Sequence, residues 1–275
     1  MTHRELSSRR MPASASSLGK GLALLTLLGT DEALESGGLS VMRISALSGR
    51  EKSQVSRVLR VLADSGFVER DPETLRYSLS WELFALAARA GDRRLLAAAP
   101  PMLAELVSEL GETAHLSSLQ GSEVLTLLSQ QPAHAVRAIG WTGRRTPAEC
   151  TSSGRALLLD HDLASLEALF GSARLALRAG RGASTCKELH ARIVASRVRG
   201  WVAVEEEFEP GLVAVGAPVR GPNGRILAAI NVSAPSFRFA HRLAEAGPAA
   251  KAAADRLSAR LGAPAGATDM AAPSA

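Results

Sequence analysis

Six residues within nine positions, Lys52, Ser53, Gln54, Ser56, Arg57 and Arg60, carry the chemistry of polyanion and base recognition. Lysine and arginine neutralise phosphates, and glutamine offers a donor and an acceptor that match N6 and N7 of adenine. These residues interleave with Val55, Val58, Leu59 and Leu62, which recur at helical spacing. A helix therefore buries the apolar set and presents the polar one. Short polar and basic residues at the start of such a helix suit a major-groove reader, because its N-terminal side chains meet the base edges. Base contacts specify and phosphate contacts position. Lys52, Ser53, Gln54 and Ser56 are thus expected to set sequence preference, and Arg57 to supply affinity. Arg70 and Arg76 lie downstream, within reach of phosphates.

A second group is Thr151-Ser152-Ser153-Gly154, which opens an expected helix. Unpaired N–H groups and the positive end of the helix dipole favour a carboxylate or phosphate there. The plainer reading is N-capping by Ser152 or Ser153. Asn231 and Ser233 are two apart on an expected strand, so they point the same way. Cys150, with His115 and Glu149, invites a cysteine-nucleophile reading. Such a thiol needs a base within reach and a lowered pKa, and the sequence shows neither. A lone cysteine is usually a small apolar filler, and sensing of oxidants by Cys150 is a minor option. No Walker loop, Rossmann glycine pattern or HExxH is present. The six histidines (His3, His115, His134, His161, His190 and His241) form no cluster at zinc-ligand spacing. No enzyme, metal or cofactor is expected. Glu205-Glu206-Glu207 reads as a solvated run capping the Glu209-Pro210-Gly211 turn, since successive strand residues face opposite ways.

The elements that must position the first group run from Gly38 to Leu79. A first helix carries Ile44 and Leu47, with Ala46 beside them. A turn falls at Ser48-Gly49-Arg50-Glu51, with Gly49 where a positive φ costs no strain. The recognition helix ends at Asp64-Ser65-Gly66. Phe67 to Arg70 is extended, Asp71-Pro72-Glu73-Thr74 turns, and Leu75 to Leu79 returns as a strand. Helix, turn, helix and hairpin in that order predict a winged helix-turn-helix. From Arg43 to Arg60, five basic residues face only Glu51, a local charge of +4 against +5 for the whole chain. A basic patch on one element is a sharper nucleic-acid footprint than a basic average. The alternative is a helical hairpin with a solvated charged face, which the hairpin argues against. Leu18 to Leu28 completes this domain, and Trp81 to Ala90 reads as an apolar linking helix.

At 275 residues two domains are expected. Apolar content of 46% with only 4% aromatics points to helices packed through Leu, Val and Ala. No uncharged apolar run approaches the ~20 residues a bilayer span needs, so no membrane role is expected. The N-terminal 17 residues lack the apolar core of a secretory signal and read as a disordered arm. The tail at 262–275 reads the same way. Two cysteines make no disulfide framework, and a reducing cytoplasm is the simplest compartment. Beyond the linker, Pro100-Pro101 is expected to precede a helix from Met102. Thr113–Leu119 and Glu123–Leu128 read as a hairpin, with a further strand at Ala135–Ile139. Leu163–Phe170, Cys186–Arg199 and Pro248–Leu261 read as helices. Trp201–Val204, Gly211–Val219 and Arg225–Ser233 read as strands. Strands bracketed by helices fit an α+β sensor domain.

Four segments in order carry a resemblance: the helix-turn-helix with GFVERDPETLRYSL, then GETAHLSSLQGSEVLTL, TPAECTSSGRALL, and GWVAVEEEFEPGLVAVGAPVRGPNGRILAAINVSAP. From about Leu18 to Gly262 the chain resembles the IclR-type bacterial transcriptional regulators. The resemblance implies an α+β fold: an N-terminal winged helix-turn-helix (18–80), a linker helix (81–94) and a C-terminal GAF-like effector-binding domain (95–261). It implies a double-stranded DNA operator and a homodimer or homotetramer. It also implies a small-molecule effector, a carboxylate or an aromatic metabolite, with a repressor favoured over an activator. Residue by residue, it places the effector against Thr151, Ser152, Ser153, Gly154, Val204, Ala214, Asn231 and Ser233. Members that bind small carboxylates often have an acidic residue at the position of Val204 and a cysteine at that of Ala214. Here both positions are more apolar, which implies a larger or greasier ligand, or none. A regulator without an effector, or an interaction protein whose winged helix no longer reads DNA, stays open on the sequence alone.

Overall fold

The computed structural model describes residues 16–87, 92–132, 141–171, 175 and 179–264. The chain divides into two compact units, Met1–Arg93 and Arg94–Ala275. The first begins with α1 (Ser17–Leu28), whose cap Ser16 accepts from Gly19 N–H at 3.1 Å. Next come α2 (Asp31–Glu35), α3 (Val41–Ser48) and α4 (Lys52–Asp64). Ser40 caps α3 by accepting from Arg43 N–H. Gly49 ends it at φ 64°, the left-handed conformation anticipated for the turn. Leu24, Leu28, Ile44, Val55 and Leu59 are buried together, with Val58 and Leu62 packed around them. Leu47, on the same helix as Ile44, is 37% exposed. At 3.6 residues per turn, three positions leave it about 60° round the helix from Ile44, at the edge of the buried stripe.

The hairpin consists of β1 (Val68–Arg70) and β2 (Tyr77–Leu79), paired antiparallel, and Leu39 bridges to Tyr77 on its other side. The returning strand starts at Tyr77 rather than Leu75. The Asp71 carboxylate accepts from the N–H groups of Glu73 (2.9 Å) and Thr74 (2.6 Å), an Asx turn that prolongs the reversal. Leu75 takes φ 58° as the chain leaves it. Helix α5 (Trp81–Ala87) follows directly.

The second unit is a six-stranded antiparallel sheet between two helical layers. Its strands are β3 (Thr113–Gln120), β4 (Glu123–Gln130), β5 (Arg145–Pro147), β6 (Val202–Glu205), β7 (Leu212–Arg220) and β8 (Ile226–Pro235), in the order β5-β4-β3-β8-β7-β6. The strand expected at Ala135–Ile139 lies outside the described residues, and β5 was not anticipated. Helix α6 (Arg93–Leu110) precedes the strands, and α7 (Ser152–Leu157), α8 (Leu163–Phe170) and α9 (Cys186–Arg197) run between β5 and β6. After them come α10 (Ser236–Phe239), a short 3-10 turn and α11 (Leu243–Arg260). Helix α6 starts nine residues before the expected Met102 and carries Pro100 and Pro101 inside it. Both prolines are exposed while Leu95 and Ala99 are buried, so the apolar face outweighs the lost backbone bonds. Likewise α11 begins five residues before Pro248, burying Leu243 and Ala246.

Strand alternation sorts the two faces. Ala114, Leu116, Val213, Val215, Ala217, Ile230 and Val232 pack against α6 and α11. The opposite face meets α7 and its neighbours and carries His115, Ser117, Ala214, Gly216, Asn231 and Ser233. Among the described residues no helix is long and apolar enough to cross a membrane.

Candidate functional site

In the first unit, α4 exposes Lys52, Ser53, Arg57 and Arg60 and half-exposes Gln54 and Ser56. Glu51 precedes the helix without a side-chain cap. The opening N–H groups of α4 thus point outward from the same end as Lys52 and Ser53. On the hairpin, the Arg70 guanidinium lies 5.7 Å from the centre of the Tyr77 ring. Arg76 is half-buried and donates to the Ser36 carbonyl, which ties the hairpin to the turn after α2. Arg43 pairs with Glu32 at 2.6 and 2.9 Å, joining α3 to α2.

In the second unit a cavity of about 60 Å³ opens between the polar sheet face and α7. Thr151, Ser152, Ser153, Val204, Ala214, Asn231 and Ser233 line it. Seven of the eight positions implied for an effector are therefore brought together from four separate elements. Gly154 is the exception. A Cβ there would sit 2.2 Å from the Ala148 carbonyl oxygen, so this glycine lets α7 lie against the preceding loop. Gly216 does the same from the sheet side, where a Cβ would meet the Ser152 backbone at 2.7 Å. Helix α7 is capped by Thr151, not by Ser152 or Ser153: Thr151 Oγ1 accepts from Gly154 N–H at 3.3 Å and donates to the Pro147 carbonyl at 2.8 Å. That leaves the Ser152 hydroxyl, 2% exposed, without a hydrogen-bond partner among the described residues. A native protein rarely leaves a buried hydroxyl orphaned without a reason.

The remaining walls were not read from the sequence. His115 and Ser117 on β3, Thr126 on β4, Thr146 on β5, Cys150, Trp141, Phe208 and Leu212 complete the lining. The two-residue alternation of His115 with Ser117 was a usable signal, because it matches that of Asn231 with Ser233 across the β3–β8 pairing. Trp141 and Phe208 had none, since both come from connections. Trp141 makes edge contacts with His115 (6.0 Å) and Phe208 (6.5 Å), forming an aromatic wall. His115 has Ser129 Oγ at 2.9 Å from Nδ1 and Ser233 Oγ at 3.2 Å from Nε2. Burial pushes its pKa down to about 4, because losing water disfavours the charged ring. His115 is thus a neutral lining group at pH 7, and among the described residues no Lys, Arg, Asp or Glu lines the cavity. Cys150 is buried and has no disulfide. Among the described residues no cluster of His, Cys, Asp and Glu is placed to hold a metal.

Behind the cavity the acidic run departs from expectation. Glu205 is exposed, but Glu207 is buried at 7% exposure. Its carboxylate accepts from Arg155 of α7 through both oxygens and from Arg192 of α9 at 2.9 Å. The run is not a solvated cap, because the chain leaves β6 at Glu206 with φ 55° and turns Glu207 inward onto two guanidinium groups.

Both units match known family models. The one described as the bacterial transcriptional regulator IclR C-terminal domain covers residues 88–259, and the IclR helix-turn-helix domain covers residues 17–72. The Pca regulon regulatory protein of Pseudomonas putida is 31% identical over 224 residues, 81% of this chain and 75% of that protein. The HTH-type transcriptional regulator KdgR of Escherichia coli is 28% identical over 255 residues, 92% and 95% of the two chains. Among solved structures, a putative IclR regulator from Silicibacter sp. TM1040 superposes with a TM-score of 0.71 at 27% identity, covering 90% of this chain and 97% of that one. An IclR regulator from Alicyclobacillus acidocaldarius gives 0.75 at 25% identity, covering 90% and 98%.

Proposed function

Because this chain belongs to the IclR family of bacterial transcriptional regulators, we propose a division of labour along it. The segment 18–80 reads a double-stranded operator in the cytoplasm, 81–94 links, and 95–261 takes a small-molecule effector. Lys52, Ser53, Gln54 and Ser56 meet base edges. Arg57 and Arg60, with Arg70 on the hairpin, hold phosphates, since all three are exposed. Arg76 steadies the hairpin through Ser36 and reaches the backbone only by giving up that bond. A homodimer places two such helices on repeated half-sites. Leu18 and Leu22, exposed one turn apart on α1, supply an apolar face for the second copy. The protein acts as a repressor that changes its grip on DNA when the cavity fills.

The observation that carries the effector reading is that Ser152, whose buried hydroxyl has no partner among the described residues, lines a cavity together with Asn231. The cavity of about 60 Å³ is well above the minimum that admits a single water. That is room for one small molecule. Trp141 and Phe208 favour a flat, apolar or aromatic body, and the hydroxyls opposite favour one or two polar substituents. Val204 and Ala214 keep the remaining wall apolar.

Fluorescence anisotropy with labelled DNA from the region upstream of its own gene, against scrambled DNA at two salt concentrations, tests the first half. Tight, sequence-selective and salt-sensitive binding is expected, because phosphate contacts release counterions. Weak binding indifferent to sequence would overturn it. The same assay with a panel of hydroxylated aromatics and small organic acids tests the second half, and no change in affinity with any of them would count against a ligand-controlled repressor.

A further inference from the structure

We propose that Arg155, Glu207 and Arg192 form a latch that holds the segment from Glu206 to Gly211 shut against the cavity, and that small molecules reach the cavity by its release. The inference rests on reading the cavity as a ligand site. It adds three positioning residues that do not line the cavity themselves.

The segment joins β6 to β7, and the cavity touches it at Phe208 and the strand just after it at Leu212. Phe208 and Leu212 are walls. Each end of the segment has a residue in the left-handed region, Glu206 at φ 55° and Gly211 at φ 79°. A non-glycine residue held there stores strain that the surroundings must offset. What offsets it is Glu207. Its carboxylate bonds both terminal nitrogens of Arg155 and one of Arg192. Arg155 also donates Nε–H to the Glu149 carbonyl at 2.9 Å, next to the cavity residues Cys150 and Thr151. Arg192 donates to the Gly182 carbonyl at 3.0 Å. A Cβ on Gly182 would stand 2.8 Å from the Glu207 carboxylate, so that turn is shaped to admit the carboxylate. One side chain thereby pins a cavity wall to α7, α9 and the Gly182 turn at once.

The three groups differ in exposure. The Arg155 side chain is 4% exposed and that of Glu207 9%, whereas that of Arg192 is 43% exposed. Arg155 and Glu207 cannot separate without leaving a buried charge uncompensated. Arg192 can let go into water. Release therefore starts at Arg192, lowers the cost of freeing Glu207, and lets the segment relax about its two left-handed ends. Phe208 then leaves Trp141, and the cavity opens.

Cys150 reports this directly, because it lines the cavity and is 3% exposed. Cys186 is 6% exposed, packs in an apolar cluster with Leu166 of α8 and Leu189 of α9 and does not line the cavity, so it reports general loosening of the domain. The full-length protein is treated with methyl methanethiosulfonate, whose sulfenyl sulfur forms a disulfide with a cysteine thiolate as methanesulfinate leaves. The two cysteines are followed separately by peptide mass spectrometry. In Arg192→Met, Cys150 should react about tenfold faster, the loss expected for hydrogen bonds to a charged group, with Cys186 unchanged. The pair Arg155→Met/Glu207→Leu fills the buried space with apolar groups and keeps the domain folded; it should raise the Cys150 rate further, again selectively. Equal acceleration of both cysteines, or no change at Cys150, overturns the latch. Selective acceleration in a protein whose DNA affinity no metabolite alters would uphold the latch and sink the effector reading, so the two failures are told apart.

Discussion

Replacing Ser152 by alanine removes a hydroxyl that is 2% exposed and has no partner among the described residues. A buried polar group left unsatisfied costs about 1–3 kcal/mol. Deleting it should therefore stabilise the protein without ligand by about 1 kcal/mol, after allowing for a small void. In a domain of this size that raises the melting temperature by about 2–4 °C. Thr151→Ala is the matched control. Its hydroxyl caps α7 and bonds the Pro147 carbonyl, so its loss should cost about 1 kcal/mol. Two adjacent hydroxyl deletions thus have opposite expected signs. Differential scanning calorimetry on the full chain reads both, and tryptophan fluorescence during urea unfolding gives the free energies. In the presence of a metabolite that raises the wild-type melting point, Ser152→Ala should gain less than the wild type does, because the ligand satisfies the hydroxyl. A loss of 1 kcal/mol or more in unliganded Ser152→Ala would refute the reasoning, since it would mean the hydroxyl is already bonded, by ordered water for example.

Three further outcomes follow from the same geometry. His115 is neutral in the folded state, with a pKa of about 4 against about 6.5 unfolded. Between those values the unfolded chain binds the extra proton, so stability falls as pH drops through 6.5 and levels off below 4. The loss is about 3 kcal/mol, and a pH series of urea melts should show it largely flattened in His115→Gln. Arg57→Ala should leave the melting curve unchanged, because the side chain is exposed. It should weaken operator binding and lower the salt slope by about 1; an unaltered slope would remove Arg57 from the phosphate contacts. Leu59 is fully buried among Leu24, Ile44 and Val55. Leu59→Ala should cost about 2–5 kcal/mol and abolish DNA binding through unfolding of the first unit, seen as early loss of helical circular dichroism on heating.

Much of the first unit was legible in the residues. Val55 and Leu59 alternate with Lys52, Ser53 and Arg57 at a period only a helix satisfies, and Gly49 marks the turn by a positive φ that glycine adopts without strain. The strands of the second unit were legible for the same reason, as the two-residue rhythm of Val213, Val215 and Ala217 puts apolar side chains on one face. Errors fell where tertiary burial overrode a local signal. Pro100, Pro101 and Pro248 read as helix starts, yet each sits inside a helix whose buried face extends upstream.

The sequence by itself determined the winged helix with its basic recognition face, the α+β character of the second unit, and the polar residues of β8 and the α7 start that meet in the cavity. These rest on periodicity and local backbone preference, which act over a few residues. Only the tertiary structure decided that His115, Trp141 and Phe208 complete the cavity, that Gly154 serves packing instead of lining, and that Glu207 turns inward onto Arg155 and Arg192. Glu207 is 52 residues from Arg155 along the chain. No local pattern encodes such a meeting, because it depends on how the sheet and its helical layer pack, and the desolvated charges stay paired only once that packing is complete.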